Sequence, residues 1–115
     1  MGYRFHCSIQ GDASLPTILF LHGFLGSRRD FDRVIPFCVD QFRCVTIDLP
    51  GHGNTSVEGD SDQYSMSATA AGLVEWLREE LGIDRCFLVG YSMGGRLALY
   101  LTVHYPQLFT AVVLE

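Results

Sequence analysis

Arg85-Cys86-Phe87-Leu88-Val89-Gly90-Tyr91-Ser92-Met93-Gly94-Gly95-Arg96-Leu97-Ala98-Leu99-Tyr100-Leu101 decides the fold. Its first five residues read as an apolar strand and its last five as an apolar helix, with a Gly-x-Ser-x-Gly sequence between them. In that setting the motif describes a serine held on a sharp strand-to-helix turn, a nucleophile elbow. Such a serine takes a strained backbone conformation, and the chain crosses so closely on either side that Gly90 and Gly94 have almost no room for a side chain. Ser92 would stand at the C-terminal end of a strand, where open α/β sheets bind ligands, and at a helix N-terminus, which favours developing negative charge. Serine is also a preferred helix cap. A cap alone needs no glycine at both 90 and 94, so the nucleophile is the reading adopted.

Working outward, Pro16-Thr17-Ile18-Leu19-Phe20-Leu21 is a continuous apolar run, the pattern of a strand buried on both faces. Residues 3–9 roughly alternate and read as an edge strand, and residues 42–48 read as a third internal strand. Phe31, Val34, Ile35 and Cys38 recur at helical spacing, interrupted by Pro36. Residues 54–64 are polar and read as a surface loop. Met66, Ala70, Leu73, Val74, Leu77 and Leu81 trace one helical face, closed by Gly82. The helix after the elbow stops near Tyr105, before Pro106, and residues 109–114 read as a last strand. Strands and helices alternate, so the expected class is α/β: a mostly parallel sheet with helices on both faces.

The 115 residues are 48% hydrophobic, which suits one domain with a core, and no apolar run approaches the roughly 20 residues a bilayer span requires. The first residues lack the apolar stretch of a secretory signal, so a cytoplasmic location is expected. A net charge of −5 argues against nucleic-acid and anionic-membrane partners. All eight cations are arginine. The lack of lysine excludes Schiff-base chemistry, pyridoxal-phosphate attachment and a Walker-type loop, so no cofactor is expected. Cys7, Cys38, Cys44 and Cys86 show no metal-binding spacing, and Cys44 and Cys86 sit in apolar runs as inert thiols.

Around Ser92, the backbone N–H of Met93 is the expected first oxyanion donor. The loop His22-Gly23-Phe24 is the expected source of the second, the Phe24 N–H, although a glycine-rich turn without catalytic duty fits it too. Arg96 lies one turn beyond Ser92 on the same helical face. A cation in the first turn opposes the helix dipole, which points either to a substrate carboxylate or to a nearby acidic partner or plain solvation. Asp48-Leu49-Pro50-Gly51-His52-Gly53 is a glycine-rich turn after a strand, but its spacing fails as a dinucleotide site. A serine without a base is a poor nucleophile. His104 falls roughly 18 Å along the helix from Ser92, His6, His22 and His52 precede the elbow, and the one acid after it is Glu115.

These residues resemble the α/β-hydrolase superfamily. More narrowly, Leu21-His22-Gly23-Phe24-Leu25-Gly26-Ser27, Asp48-Leu49-Pro50-Gly51-His52-Gly53 and Gly90-Tyr91-Ser92-Met93-Gly94-Gly95-Arg96 are similar to the 2-succinyl-6-hydroxy-2,4-cyclohexadiene-1-carboxylate (SHCHC) synthases of menaquinone and phylloquinone biosynthesis. The resemblance implies a lyase that removes a proton from an enolpyruvyl cyclohexene carboxylate and expels pyruvate. It implies that Ser92 assists proton abstraction, that Phe24 and Met93 stabilise oxyanion charge, and that Arg96 and Tyr91 bind a small anionic carboxylate. The family's triad acid and histidine would lie beyond Glu115. Residues 1–115 are therefore expected to form a single partial domain, the N-terminal half of a longer enzyme, poorly soluble and inactive in isolation. A serine carboxylesterase, a thioesterase or a carbon–carbon bond hydrolase of the same fold is the first alternative; an inactive fragment or binding domain is the second. Dehalogenases and soluble epoxide hydrolases resemble this fold with aspartate at the elbow, where this chain has Ser92.

Overall fold

Continuous apolar runs joined by amphipathic segments can be buried only in a sheet covered on both faces. The computed structural model, which describes residues 2–115, takes that form; Met1, where the stretch read as signal-free begins, lies outside the described residues. In chain order the strands are β1 (Tyr3–Arg4), β2 (Cys7–Gln10), β3 (Thr17–Leu21), β4 (Arg43–Ile47), β5 (Ser56–Val57), β6 (Cys86–Gly90) and β7 (Phe109–Leu114). The α-helices are α1 (Met66–Glu79) and α2 (Met93–His104). Five strands form the main sheet in the order β2-β4-β3-β6-β7, parallel except for β2.

The central position of β3 explains its sequence: all five of its residues are buried. Leu19 and Leu21 face α1 and α2, packing with Leu73, Leu77, Leu97 and Leu101. Ile18 and Phe20 face the other way, onto Phe31 and Ile35. Those two residues belong to short 3-10 turns, Arg28–Phe31 and Ile35–Phe37, where periodicity alone suggests a longer helix. Pro36 near the start of the second turn has no N–H to continue an α-helical ladder, which accounts for the difference. The Ser65 hydroxyl caps α1 by accepting from the Ala68 N–H, and Gly82 lies just beyond the helix at φ +63°.

Residues 3–9 divide into two strands. Phe5 turns inward onto Trp76, with ring centroids 5.5 Å apart, and breaks the alternation. β2 then pairs antiparallel with β4, while β1 pairs with β5 inside the segment read as a polar loop. The Tyr3 hydroxyl donates to the Gln63 carbonyl and ties this second sheet to the turn before α1.

Register decides where the loops emerge. Leu21 is opposite Gly90, and Phe20 is opposite Thr46. The segments after β3, β4 and β6 therefore leave the same edge of the sheet side by side. All three glycine-rich motifs meet there.

Candidate active site

Ser92 has φ 53° and ψ −111°, and its side chain makes no capping hydrogen bond to α2. The cap reading of this serine is thus removed, because the conformation costs on the order of 1–3 kcal/mol and no cap bond offsets it. The surrounding backbone enforces it. The Ser92 N–H donates to the Glu115 carbonyl at 2.7 Å, the Tyr91 N–H to Leu21 at 3.0 Å, and the Gly94 N–H to Tyr91 at 2.9 Å. A Cβ on Gly94 would stand 2.5 Å from the His22 carbonyl oxygen and closer still to that of Leu21. One on Gly90 would stand 2.5 Å from the Gly94 oxygen.

The loop after β3 lies directly against this turn. A Cβ on Gly23 would come within 2.9 Å of the Tyr91 ring and 3.5 Å of the Ser92 Cβ. Among the described residues, neither the Phe24 nor the Met93 N–H donates to a backbone or side-chain acceptor. Both N–H groups are thus left without a protein acceptor, as a backbone donor to a bound substrate has to be.

Arg96 is exposed and takes part in no ion pair among the described residues, where the one pair found is Arg29–Asp32 at 3.6 Å. Arg96 and Ser92 open into one groove of about 300 Å³, with Gly95, Leu99, Leu114 and Glu115. Tyr91 lines a second cavity of about 420 Å³, walled by Gly23, Phe31, Val34, Val89 and Val113. A cavity of similar size, about 440 Å³, between β1, β5 and the end of α1 shares no residue with either.

The histidines near the site do not supply a base. His22 is fully buried; its Nε2 accepts the Leu49 N–H at 2.9 Å and its Nδ1 lies 2.7 Å from the Gly23 carbonyl. His52 Nε2 accepts the Leu25 N–H at 3.0 Å, and its Nδ1 lies 3.2 Å from the Pro50 carbonyl. An amide N–H can only donate, so both rings are neutral Nδ1–H tautomers with no lone pair left for Ser92. His104 bonds the Tyr100 carbonyl at the far end of α2. Asp48 is also buried: its carboxylate accepts the Arg28 N–H at 2.8 Å and the Asn54 N–H at 3.0 Å. These loop-bracing roles of His22, His52 and Asp48 escape a sequence reading that weighs histidines only as bases. The available signal was that both histidine-bearing motifs follow strand ends.

Burial pushes the Cys86 thiol up to about 12 and the Cys44 thiol up to about 11, so both are inert near neutral pH. Among the described residues no group of three His, Cys, Asp or Glu side chains is placed to hold a metal ion. Among the same residues no helix is long and apolar enough to cross a membrane.

Burial lowers the pKa of His22, opposed in part by its bond to the Gly23 carbonyl. The unfolded chain then binds a proton that the folded chain resists. Stability from this residue is therefore complete above the unfolded value of about 6.5 and is lost as pH falls through that value toward the folded one. Thermal melts between pH 8 and 5 should show wild type losing stability on acidification more steeply than His22→Gln. Parallel slopes would remove His22 from the acid response.

A sequence profile described as the alpha/beta hydrolase fold matches residues 16–115. The chain is 36% identical over 107 residues to sn-1-specific diacylglycerol lipase ABHD11 of Mus musculus, covering 91% of this chain and 34% of that protein. It is also 36% identical over 107 residues to the 2-succinyl-6-hydroxy-2,4-cyclohexadiene-1-carboxylate synthase of Serratia proteamaculans, covering 92% of this chain and 40% of that one. The solved structure of potato (Solanum tuberosum) epoxide hydrolase I superposes with a TM-score of 0.88 at 26% identity, covering 98% of this chain and 36% of the other. The chain thus spans between a third and two-fifths of the length of these proteins.

Proposed function

Because this chain belongs to the α/β-hydrolase fold family, we propose that it carries the nucleophile and oxyanion donors of a serine enzyme, and that the enzyme is a lyase of the SHCHC synthase type. The observation that carries this reading is Arg96, an exposed guanidinium without an ionic partner among the described residues that opens into the same groove as Ser92. Helix stability does not account for a cation at that position, and Glu115, which lines the same groove, makes no ion pair with it. A substrate carboxylate does, and arginine is suited to bind one in a bidentate manner.

On this reading a small anionic cyclohexene carboxylate lies with its carboxylate on Arg96 and its ring beside Tyr91. A ring proton passes to the base with the help of Ser92, and the electrons of that C–H bond form a new ring double bond. The ring C–O bond breaks, and enolpyruvate leaves with the C–O pair and takes up a proton to become pyruvate. The Phe24 and Met93 N–H groups hold the oxyanion charge that develops. The base and acid that activate Ser92 come from parts of such a protein outside the matched third to two-fifths. A cytoplasmic setting and independence from cofactors belong to the same proposal.

The second reading is an esterase or lipase, favoured by the apolar walls that Phe31, Val34, Val89 and Val113 give the Tyr91 cavity. The deciding experiment assays the protein carrying this chain for pyruvate release from the enolpyruvyl substrate and for hydrolysis of p-nitrophenyl esters. Arg96→Ala is expected to raise KM for the enolpyruvyl carboxylate by about 10–100-fold, the value of one lost charge-assisted pair, and to leave neutral-ester KM nearly unchanged. Turnover of esters alone, with Arg96→Ala silent, would overturn the lyase assignment.

A further inference from the structure

The motif Asp48-Leu49-Pro50-Gly51-His52-Gly53 follows β4 and has no part in the chemistry proposed above. It nevertheless makes three hydrogen bonds to the segment that carries Phe24. The Leu49 N–H reaches His22 Nε2 at 2.9 Å, the Asp48 carboxylate receives the Arg28 N–H at 2.8 Å, and His52 Nε2 receives the Leu25 N–H at 3.0 Å. Two strand-end loops are thereby joined along their length.

From this arrangement we infer that His52 is a positioning residue that holds the Phe24 N–H in its donor orientation through Leu25. The inference rests on the reading of Phe24 as an oxyanion donor. Leu25 is the reason a latch is needed. Its φ of 65° lies in the left-handed region that a branched side chain avoids, and Ser92 is the one other described non-glycine residue with positive φ. Its side chain is 82% exposed, so packing does not hold it there. Two bonds do: the Gly26 N–H to the Gly23 carbonyl closes the turn in which Leu25 is the third residue, and the Leu25 N–H bond to His52 ties that turn to the neighbouring loop.

The peptide units on both sides of Phe24 are consequently fixed by imidazoles. In the Gly23–Phe24 unit the carbonyl accepts from His22 Nδ1–H at 2.7 Å and from the Gly26 N–H at 3.0 Å. A trans peptide directs its N–H opposite to its carbonyl, so pinning the Gly23 oxygen aims the Phe24 N–H. In the Phe24–Leu25 unit the N–H is held by His52. With both units fixed, the φ and ψ of Phe24 have no freedom left.

His52 is itself held in place. Its Nδ1–H donates to Pro50, and its ring meets His22 edge-on at 5.0 Å and Phe24 at 5.8 Å. The turn that presents it depends on Gly53, whose φ is +51° and where a Cβ would strike the Asp48 carboxylate. His52 Nε2 serves as an acceptor, so what matters is an acceptor atom at that point rather than the ring.

Two variants separate acceptor from ring. His52→Gln places an amide oxygen near the Nε2 position; His52→Phe keeps a ring without an acceptor. In the protein carrying this chain, the Leu25 amide should exchange slowly with solvent in wild type and His52→Gln, and roughly tenfold or more faster in His52→Phe. In the protein carrying this chain, His52→Phe should lower kcat for the enolpyruvyl substrate or for p-nitrophenyl acetate by about 10–100-fold with KM nearly unchanged. His52→Gln should recover most of that loss. Should His52→Phe not fold, His52→Asn, whose side chain is one bond too short to reach Leu25, takes its place. Unchanged Leu25 exchange and unchanged kcat in His52→Phe would overturn the inference, as would a loss confined to KM or a His52→Gln variant as impaired as His52→Phe. If wild type turns over neither substrate, the proposed function falls instead, and the exchange measurement alone decides whether His52 latches the loop.

Discussion

Gly94→Ala should cost the fold at least about 3 kcal/mol, at the upper end of what a single added methyl group does. The new Cβ would stand 2.5 Å from the His22 carbonyl oxygen and closer to that of Leu21. Both obstacles are backbone at the end of the central strand, so no rotamer change relieves the contact. Separation would have to break the Tyr91 N–H bond to the Leu21 oxygen, which keeps the turn against β3, or lift the N-terminus of α2 off the sheet. Either route exposes part of the core that Leu21, Leu97 and Leu101 share. Against a total of about 5–15 kcal/mol for a domain, denaturant unfolding should show a much lowered midpoint or no folded baseline. Gly82→Ala is the control: its φ is +63°, but no atom lies within 4 Å of the added Cβ. That variant should lose only about 1 kcal/mol, the cost of the left-handed conformation alone. If the two variants proved equally stable, the lack of room for a Cβ at Gly94 would not be what the elbow depends on.

The contrast between these glycines indicates which parts of the molecule a sequence can disclose. The turn at Ser92 was legible because every element of it is local: an apolar strand, two glycines at fixed offsets and an apolar helix, all within residues 85–101. The strain at Ser92 and the tight approaches at Gly90 and Gly94 follow from that pattern, and the structure has them. The helix of residues 66–79 and its stop before Gly82 were readable for the same reason. What was not legible depends on partners distant in sequence. Tyr3 and Arg4 pair with Val57 and Ser56 across more than fifty residues, and nothing in the polar stretch 54–64 announces a strand. The burial of Phe5 against Trp76, which splits the N-terminal strand in two, is likewise a long-range contact.

The same division runs through the site. Ser92, Met93 and Arg96 share one turn, and their relative placement follows from helical spacing. Phe24 is brought to them by the register that sets Leu21 opposite Gly90. His22 and His52 look, as residue types, like bases for the serine. Their bonds to Leu49 and Leu25 exist only once β3 and β4 lie side by side, and those bonds turn them into braces. A motif after a strand end therefore indicates the neighbourhood of a residue better than its task.

Ser92→Ala is the substitution with the largest expected effect on activity, and its size separates the two chemistries. If Ser92 forms a covalent acyl intermediate, its removal takes away the whole nucleophilic route, a loss of about 10⁴–10⁶ in kcat as in triad enzymes generally. If it assists removal of a ring proton, the loss is about 10²–10⁴, the contribution of a positioned proton-transfer group. In both cases KM should change little, because the hydroxyl is a small part of the binding surface beside Arg96 and Tyr91. Stability should not change either: alanine at position 92 must adopt the same φ of 53°, and no side-chain hydrogen bond to the helix is lost. Ser92→Gly provides the complementary measurement. Glycine takes that φ without strain, offset partly by its greater freedom in the unfolded chain, so this variant should be as inactive as Ser92→Ala yet about 1 kcal/mol more stable. Steady-state kinetics on the protein carrying this chain, with thermal melts of the same preparations, test both halves. An active Ser92→Ala variant would remove the serine from the mechanism. A Ser92→Gly variant no more stable than wild type would mean that the strained turn does not cost the fold what its backbone angles indicate.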